Sequence, residues 1–510
     1  MNYKNIIANS LGRIWSILLI LLLTPLYIEK LGFESYGLIG FFAVIQSIAT
    51  ILELGVPLAI NKAVARFTAK EIDTEEMSSL LKIFEMFFAG AALILCLLAI
   101  PLSYLLAENW FVFSSLTNQK VFVVLICIFV LVAFRFPIGL YLGVLAGLQK
   151  QVQMNGLNVL FATLRLGSAG LLIAFWLPDI LSFFAIQIFF SLIELLVIRK
   201  IAWNSHPDFR IDMIVSWYSI KEHVSFAINV GVITILGIVL LQLDKLLTSG
   251  FLSLEEFGHY SLIGVIGLGL MTIGYPVAAA SFPNFVKLIA ENKKEELKRV
   301  YFLYFRLVIL MVLPITVSLA VFSQSILEFY LQSESLGRAV YNAFFLFVIA
   351  SFFGSLRPIS FGLILAYNQQ KKVINYYFYL LPSYSLILFL LINSMSIVGA
   401  ALGFLLMQLV SVVVFFVIAI KTLDNNKVPY TLFRIFLVPI GLCCLAAYVL
   451  AEMLSFRVPS FHVITSVLVV YFPTLMVLAL ALYSRTEIIT GTSFLLNLRR
   501  NSRYKKEKKY

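Results

Sequence analysis

Fourteen apolar runs of about twenty residues or more, joined by short polar segments, constrain this chain more than any other feature. About twenty apolar residues cross the hydrocarbon core of a bilayer as one helix. The runs fall near 6–28, 36–60, 82–106, 119–145, 154–177 and 180–200, then near 223–248, 258–282, 300–322, 338–366, 373–394 and 397–420, and finally near 432–452 and 461–484. Of 510 residues 61% are hydrophobic and 13% charged, with a mean hydropathy of +0.98. Soluble domains carry about 25% charged residues. The fold class expected is an all-α polytopic membrane protein of about 14 transmembrane helices.

The polar joins divide the chain as 1–200, a connector at 201–222, 223–420, two additional helices within 421–484, and a basic tail at 485–510. The connector carries His206, Pro207, Asp208, Arg210 and Asp212. The first run contains Arg13, extends past Leu23 to Ile28 and shows no small-residue cleavage site, so it is expected as a retained span. Cys96, Cys127, Cys443 and Cys444 lie in apolar runs and read as buried thiols. The four histidines have no metal-ligand spacing, and neither a metal nor a cofactor is expected. The net charge of +12 and the tail from Arg499 to Lys509 suit a membrane-proximal segment drawn to anionic lipid, not a nucleic-acid partner.

Lysine and arginine fix the expected orientation, because cytoplasmic loops carry their excess. With these spans, 28 lie on the side of the amino terminus. Five lie opposite: Lys30, Lys120, Lys245, Arg338 and Arg457. An even number of spans with both termini in the cytoplasm follows. The remaining five basic residues are all arginine and all within spans: Arg13, Arg135, Arg165, Arg306 and Arg357. Each costs about 2.5–3.5 kcal/mol at a helix centre, so such residues are expected to face a bundle interior or a watery cavity.

Neighbouring residues support an inward face. Asn9, Gly12, Arg13 and Ser16 share one stripe, and Asn158, Ala162, Arg165 and Ala169 another. Gln46, Thr50, Glu53 and Pro57 line up along the second run. Guanidinium stays charged and grips phosphate through two parallel hydrogen bonds. An arginine-lined cavity therefore suits a bulky anion. The bland alternative is that each arginine pairs with an acid or a carbonyl and only holds helices together. Glu53 is a candidate coupling or pairing acid, and Lys62 and Arg66 are candidates for the cytoplasmic mouth.

The chain also repeats itself. Phe33-Glu34-Ser35-Tyr36-Gly37 returns 221 residues later as Leu254-Glu255-Glu256-Phe257-Gly258. Leu145 to Lys150, with Asn155 beyond, returns 220 residues later as Leu365 to Gln370, with Asn375 beyond. The charges are not repeated, since Thr234 falls where Arg13 would map and Gly274 where Glu53 would. The scaffold reads as duplicated and the site does not.

Asn9-Ser10-Leu11-Gly12, Thr24-Pro25-Leu26-Tyr27-Ile28 and Leu31-Gly32-Phe33-Glu34-Ser35-Tyr36-Gly37-Leu38 resemble the start of bacterial Wzx-type polysaccharide flippases. Leu52-Glu53-Leu54-Gly55, running on to Asn61 and Arg66, and Gly147-Leu148-Gln149-Lys150 extend the likeness. These flippases belong to the multidrug/oligosaccharidyl-lipid/polysaccharide (MOP) exporter superfamily. The family commonly has aspartate at the position of Glu53, so the carboxylate is kept. The resemblance implies two six-helix lobes in pseudo-twofold repeat along the membrane normal, two additional helices, alternating access and a cationic cavity. It implies flipping of undecaprenyl-pyrophosphate-linked oligosaccharide across the bacterial cytoplasmic membrane. Membrane lipid and polysaccharide polymerase or assembly proteins are the further partners implied.

Two other functions fit less well. A multidrug or cation antiporter would need acids where this chain places arginines. A polysaccharide polymerase or membrane glycosyltransferase needs catalytic residues on sizeable outward loops, and the longest here, near 107–118, carries only Glu108 as an acid. No Gly-x-x-x-x-Gly-Lys-Ser/Thr loop is present. The expectation is a transporter and not an enzyme.

Overall fold

The computed structural model describes residues 3–53, 55–206, 209, 220–423, 441, 445, 470–476 and 478. The last two expected spans lie largely, and the tail wholly, outside the described residues, as do 207–208 and 210–219 of the connector. The described chain is a succession of helices: α1 (Tyr3–Leu52), α2 (Val56–Thr68), α3 (Thr74–Asn109), α4 (Asn118–Arg135), α5 (Ile138–Gly147), α6 (Gln151–Phe175) and α7 (Ile180–Trp203). Then come α8 (Ile220–Phe251), α9 (Leu254–Met271), α10 (Gly274–Ala290), α11 (Lys294–Val321), α12 (Ser323–Leu331), α13 (Glu334–Ala366) and α14 (Gln370–Leu423). Among the described residues the only β pairing is an isolated bridge between Val112 and Ser253.

Ten helical stretches among the described residues are long and apolar enough to cross a membrane. Two of them are broken and double back. The first arm of α1 ends at Gly32, whose φ of 78° is a left-handed value that glycine adopts freely. Beyond it Tyr36 returns alongside Thr24, their hydroxyls 3.4 Å apart. The second break is at Ser396, with φ 51°, after which Gly403 packs on Leu388. With these breaks the described helices account for the first twelve apolar runs. The surface is inverted relative to a soluble protein: Leu93 and Leu97 on α3 and Phe378 and Tyr379 on α14 are exposed. This is a multi-pass membrane protein.

Local rules place the shorter elements. Gly55, with φ 72°, separates α1 from α2, and Pro57 sits in the first turn of α2, where a missing N–H costs nothing. The Asp73 side chain caps α3 by accepting from the Glu76 N–H at 2.7 Å. Pro137 stands between α4 and α5.

The chain forms two compact units. The first comprises residues 1–266 and 370–404, the second 267–369 and 405–510. In the first, α2, α3, α5 and the end of α7 share a core that includes Phe88 against Phe136, ring centres 4.7 Å apart. In the second, α10, α11 and α13 pack together, with Tyr301 and Ser360 joined by a 2.8 Å hydrogen bond. The repeat is legible in the backbone. Lys70 and Asn292 follow α2 and α10 in the left-handed conformation, and Gln149 and Asn368 do so after α5 and α13.

Inside the first unit the two copies of the repeat meet at their matching residues. A Cβ on Gly37 would run into the Leu254 carbonyl, and one on Gly258 into the Phe33 carbonyl. Since Leu254 corresponds to Phe33 and Gly258 to Gly37, the contact is reciprocal, as across a local twofold axis. One turn further along, Gly40 faces Ser261, its own counterpart. Small residues on both sides let the second arm of α1 and α9 cross with their backbones in contact.

Candidate functional site

The first unit contains a partly open cavity of about 420 Å³, lined by both arms of α1 and by α4, α6, α7, α8 and α9. Each wall has a sequence reason. The first arm of α1 lies along α6, where Gly12 admits Asn155. Trp15 Nε1 donates to Thr163 Oγ1 at 2.8 Å, and Tyr27 OH donates to the Leu166 carbonyl at 2.7 Å. Part of each predicted stripe turns inward: Ser16, Gln46, Ala162 and Arg165 line the cavity, while Thr50, Glu53, Asn158 and Ala169 are not in its lining.

Among the described residues three cations reach this space: Arg135, Arg165 and Lys245. No aspartate or glutamate is among the described residues that line it. Arg135 is the last residue of α4, where the carbonyl ends of the helix favour positive charge. Its guanidinium lies over the Phe42 ring, 5.8 Å from the centre. Arg165 is bound differently. It forms an ion pair with Glu194 of α7, both side chains being buried, and Gln187 of α7 donates to the Arg165 carbonyl at 3.3 Å. Among the described residues neither the Arg135 nor the Lys245 side chain makes an ion pair or hydrogen bond, although the neighbouring Asp244 carboxylate acts on Lys245 electrostatically. The rest of the lining mixes hydroxyls and rings, with Thr24, Tyr27, Tyr36, Ser47 and Phe183 contributing. The Gln46 Oε1 acceptor is buried there without a partner.

Lys245 is the residue that sequence reasoning missed. It falls near the end of the run at 223–248 and is counted with the basic residues of the outward side. α8 continues to Phe251, so both Lys245 and its neighbour Asp244 sit well inside the helix. Lys245 points at the cavity past Gly264, where a Cβ would stand 3.2 Å from its Cε. Asp244 is fully buried and accepts from Tyr260 OH at 2.6 Å. The apolar residues Leu246 and Leu247 beyond them were the available signal that the helix runs on.

The other candidates are placed as follows. The Arg13 side chain lies outside the described residues. Glu53 sits in the turn between α1 and α2, its Oε2 2.8 Å from where a Cβ on Gly139 would be, and it forms no ion pair among the described residues. Arg66 pairs with Glu71 at 3.2 Å, and Lys62 is exposed on α2. Arg306, half-buried on α11, and Arg357, buried on α13, belong to the second unit.

One end of the cavity is bounded by a densely bonded cluster. The Glu34 carboxylate accepts from the N–H of Ser114 at 2.6 Å, Ser115 at 2.9 Å and Leu116 at 3.0 Å, and from the hydroxyls of Ser114 at 2.9 Å and Ser115 at 2.5 Å. Trp110 Nε1 donates to Ser249 Oγ at 3.1 Å, and the Leu254 N–H to the Val112 carbonyl at 2.7 Å. Glu256 accepts from Ser253 Oγ at 3.1 Å and from Ser396 Oγ at 2.5 Å. The α3–α4 loop is thereby tied to both arms of the repeat.

A family model described as polysaccharide biosynthesis protein matches residues 3–289. No curated protein sequence matches the chain. Among solved structures, the lipid II flippase MurJ in an inward closed conformation is similar, with a TM-score of 0.69 at 12% identity over 92% of this chain and 97% of that one. An inward-facing multidrug resistance MATE family transporter of the MOP superfamily gives 0.67 at 14% identity, covering 80% and 96%. A MOP superfamily transporter from Pyrococcus furiosus gives 0.58 at 13%, covering 83% and 96%. At these identities the likeness establishes the fold alone.

Proposed function

Because this chain belongs to the polysaccharide biosynthesis protein family, we propose that it flips undecaprenyl-pyrophosphate-linked oligosaccharide repeat units across the bacterial cytoplasmic membrane. The observation that carries this reading is a pair of cations lining the cavity, Arg135 and Lys245, neither of which makes a side-chain ion pair or hydrogen bond among the described residues; Lys245 has the neighbouring Asp244 as an opposite charge, and Arg135 has none. A buried charge is retained when something compensates it, and a bound phosphate would do so. Arg135 supplies a planar fork and Lys245 a compact point charge. The hydroxyls and Gln46 offer donors and acceptors for sugar, and the rings offer flat apolar faces. A cavity of this size takes the pyrophosphate and the first sugars, while the isoprenoid tail stays in lipid.

The cycle follows from the repeat. Two six-helix lobes, 1–200 and 223–420, rock about the loaded cavity and expose it first to the cytoplasm and then outside. Arg13 adds to the cationic lining, Lys62 and Arg66 stand at the cytoplasmic mouth, and Glu53 serves as a coupling or pairing acid. The MurJ likeness supports a lipid-linked substrate, and the 28-to-5 bias of basic residues supports cytoplasmic termini. Membrane lipid is the solvent throughout, and polymerase or assembly proteins receive the product. A cation antiporter is disfavoured because no acid is among the described residues lining the cavity.

The test is the lipid-linked sugar of cells lacking this protein. Complete repeat units trapped on the cytoplasmic face are expected. Units that cross normally but never polymerise would replace the flippase with a polymerase. Unchanged lipid-linked sugars with new sensitivity to cationic drugs would replace it with an antiporter.

A further inference from the structure

Arg165 differs from Arg135 and Lys245 in being held in a close ion pair, with Glu194. Glu194 lies on α7, and Gln187, Ser191 and Glu194 follow one another at spacings of four and three, along one face of that helix. Gln187 lines the cavity. Ser191 is fully buried, and its hydroxyl has no hydrogen-bond partner among the described residues. Glu194 is buried one turn beyond it, against Arg165. The charged groups on the elements packed against α7 are Arg135 and Lys120 on α4 and Arg165 on α6, while α5 contributes Tyr141. Lys120 is occupied by Asp179 at 2.6 Å, and Tyr141 donates to Glu85 at 3.0 Å. Arg165 is thus the cation that serves Glu194, and Glu194 the acid that serves Arg165.

We infer that Glu194 is an internal competitor for the ligand's anion: it holds Arg165 in the empty cavity and yields it to a second phosphate when a pyrophosphate binds. This rests on the reading of the cavity as an anion site. Arg135 and Lys245 take the first phosphate without displacing anything. The second phosphate reaches Arg165 only by exchange with a carboxylate of the same charge. The spare Ser191 hydroxyl, a turn away on the same face, receives the carboxylate as it swings off. Exchange of one anion for another keeps Arg165 compensated at every stage, while the displaced carboxylate exchanges a guanidinium for the Ser191 hydroxyl at a cost in energy. It also limits affinity, so that the ligand can leave. Glu194 is therefore a specificity-determining residue that acts through Arg165, setting how strongly two phosphates are preferred to one.

The experiment uses the full-length protein in lipid nanodiscs, with farnesyl pyrophosphate and farnesyl monophosphate as probes and calorimetric affinities as the readout. Glu194→Gln is expected to tighten the pyrophosphate about tenfold and the monophosphate far less, because the competing charge is gone. Ser191→Ala, which removes only the landing site, is expected to weaken the pyrophosphate by about threefold and leave the monophosphate unchanged. Should Glu194→Gln not fold, Glu194→Asp keeps the charge but shortens its reach, and is expected to tighten the pyrophosphate by an intermediate factor. Pyrophosphate affinity that is unchanged or weaker in the folded Glu194 variant would make the pair a helix brace only and overturn the inference, leaving the anion site intact. Wild-type protein that binds neither probe would remove the anion site and the inference together.

Discussion

The two ends of polarity in the first unit are opposites. At the α1 hairpin a carboxylate, Glu34, accepts five hydrogen bonds, and the neighbouring helices touch backbone to backbone. In the cavity, the Arg135 and Lys245 side chains make no ion pair or hydrogen bond among the described residues, Lys245 having the neighbouring Asp244 as an opposite charge, and the Gln46 acceptor is equally unmet. Both regions are built from costly polar groups among apolar helices. A fully bonded group is explained by the protein itself, because it repays its own desolvation by holding a loop in place. An unmet group is not, and points to something outside the chain. The contrast separates residues that shape the protein from residues that serve a ligand, which charge alone does not do.

The comparison can be broken by experiment. The largest effect is expected from Arg135→Ala with Lys245→Ala, which removes two charge-assisted contacts to the ligand, about 3–6 kcal/mol together. Export of lipid-linked sugar should fall by a hundredfold or more on that scale, while the melting temperature in detergent holds or rises. A melt that drops with export would mean that these cations support the fold. Glu34→Ala should do the reverse. It strands five donors and is expected to cost about 2–4 kcal/mol of stability, read as a lower thermal midpoint and less protein in the membrane, with export per folded molecule preserved. Next comes Gly258→Ala, whose Cβ meets the Phe33 carbonyl. Overpacking a tight contact costs about 1–3 kcal/mol, and Gly37→Ala should match it if the crossing is truly reciprocal. The smallest effect is expected from Lys245→Arg, which keeps the charge and adds a fork. Export within about threefold of wild type would show that charge matters there more than shape.

Much of the architecture was legible because hydrophobic run length is a one-dimensional signal. Twelve of the expected spans correspond to described helices, and the join around Glu29 to Ser35 is where α1 breaks at Gly32. The echo at offset 221 turned out to be where the two copies touch. Of the site, the inward stripes through Ser16, Gln46 and Arg165 were readable from helical spacing. Two features were not. Lys245 follows an aspartate near the end of an apolar run, so it resembles a boundary residue, and only the continuation of α8 to Phe251 places it within the cavity wall. The pairing of Arg165 with Glu194 joins residues 29 positions apart on adjacent helices, and nothing in the local sequence connects them. It is set by how α6 and α7 dock.

The reciprocal crossing of Gly37 and Gly258 also bears on how such a chain can diverge. In a symmetric dimer of a half-length ancestor, any change at this contact would occur twice at once, and a charge placed on one wall of the cavity would be mirrored on the other. A fused chain is released from that doubling everywhere except where its halves still press on each other. The glycines are alike because each is checked against the opposite backbone, whereas the positions of Arg13 and Glu53 correspond to threonine and glycine in the second copy. Lineages carrying this scaffold can therefore exchange one cargo for another by rewriting a single half, with the shared seam keeping the two halves in step.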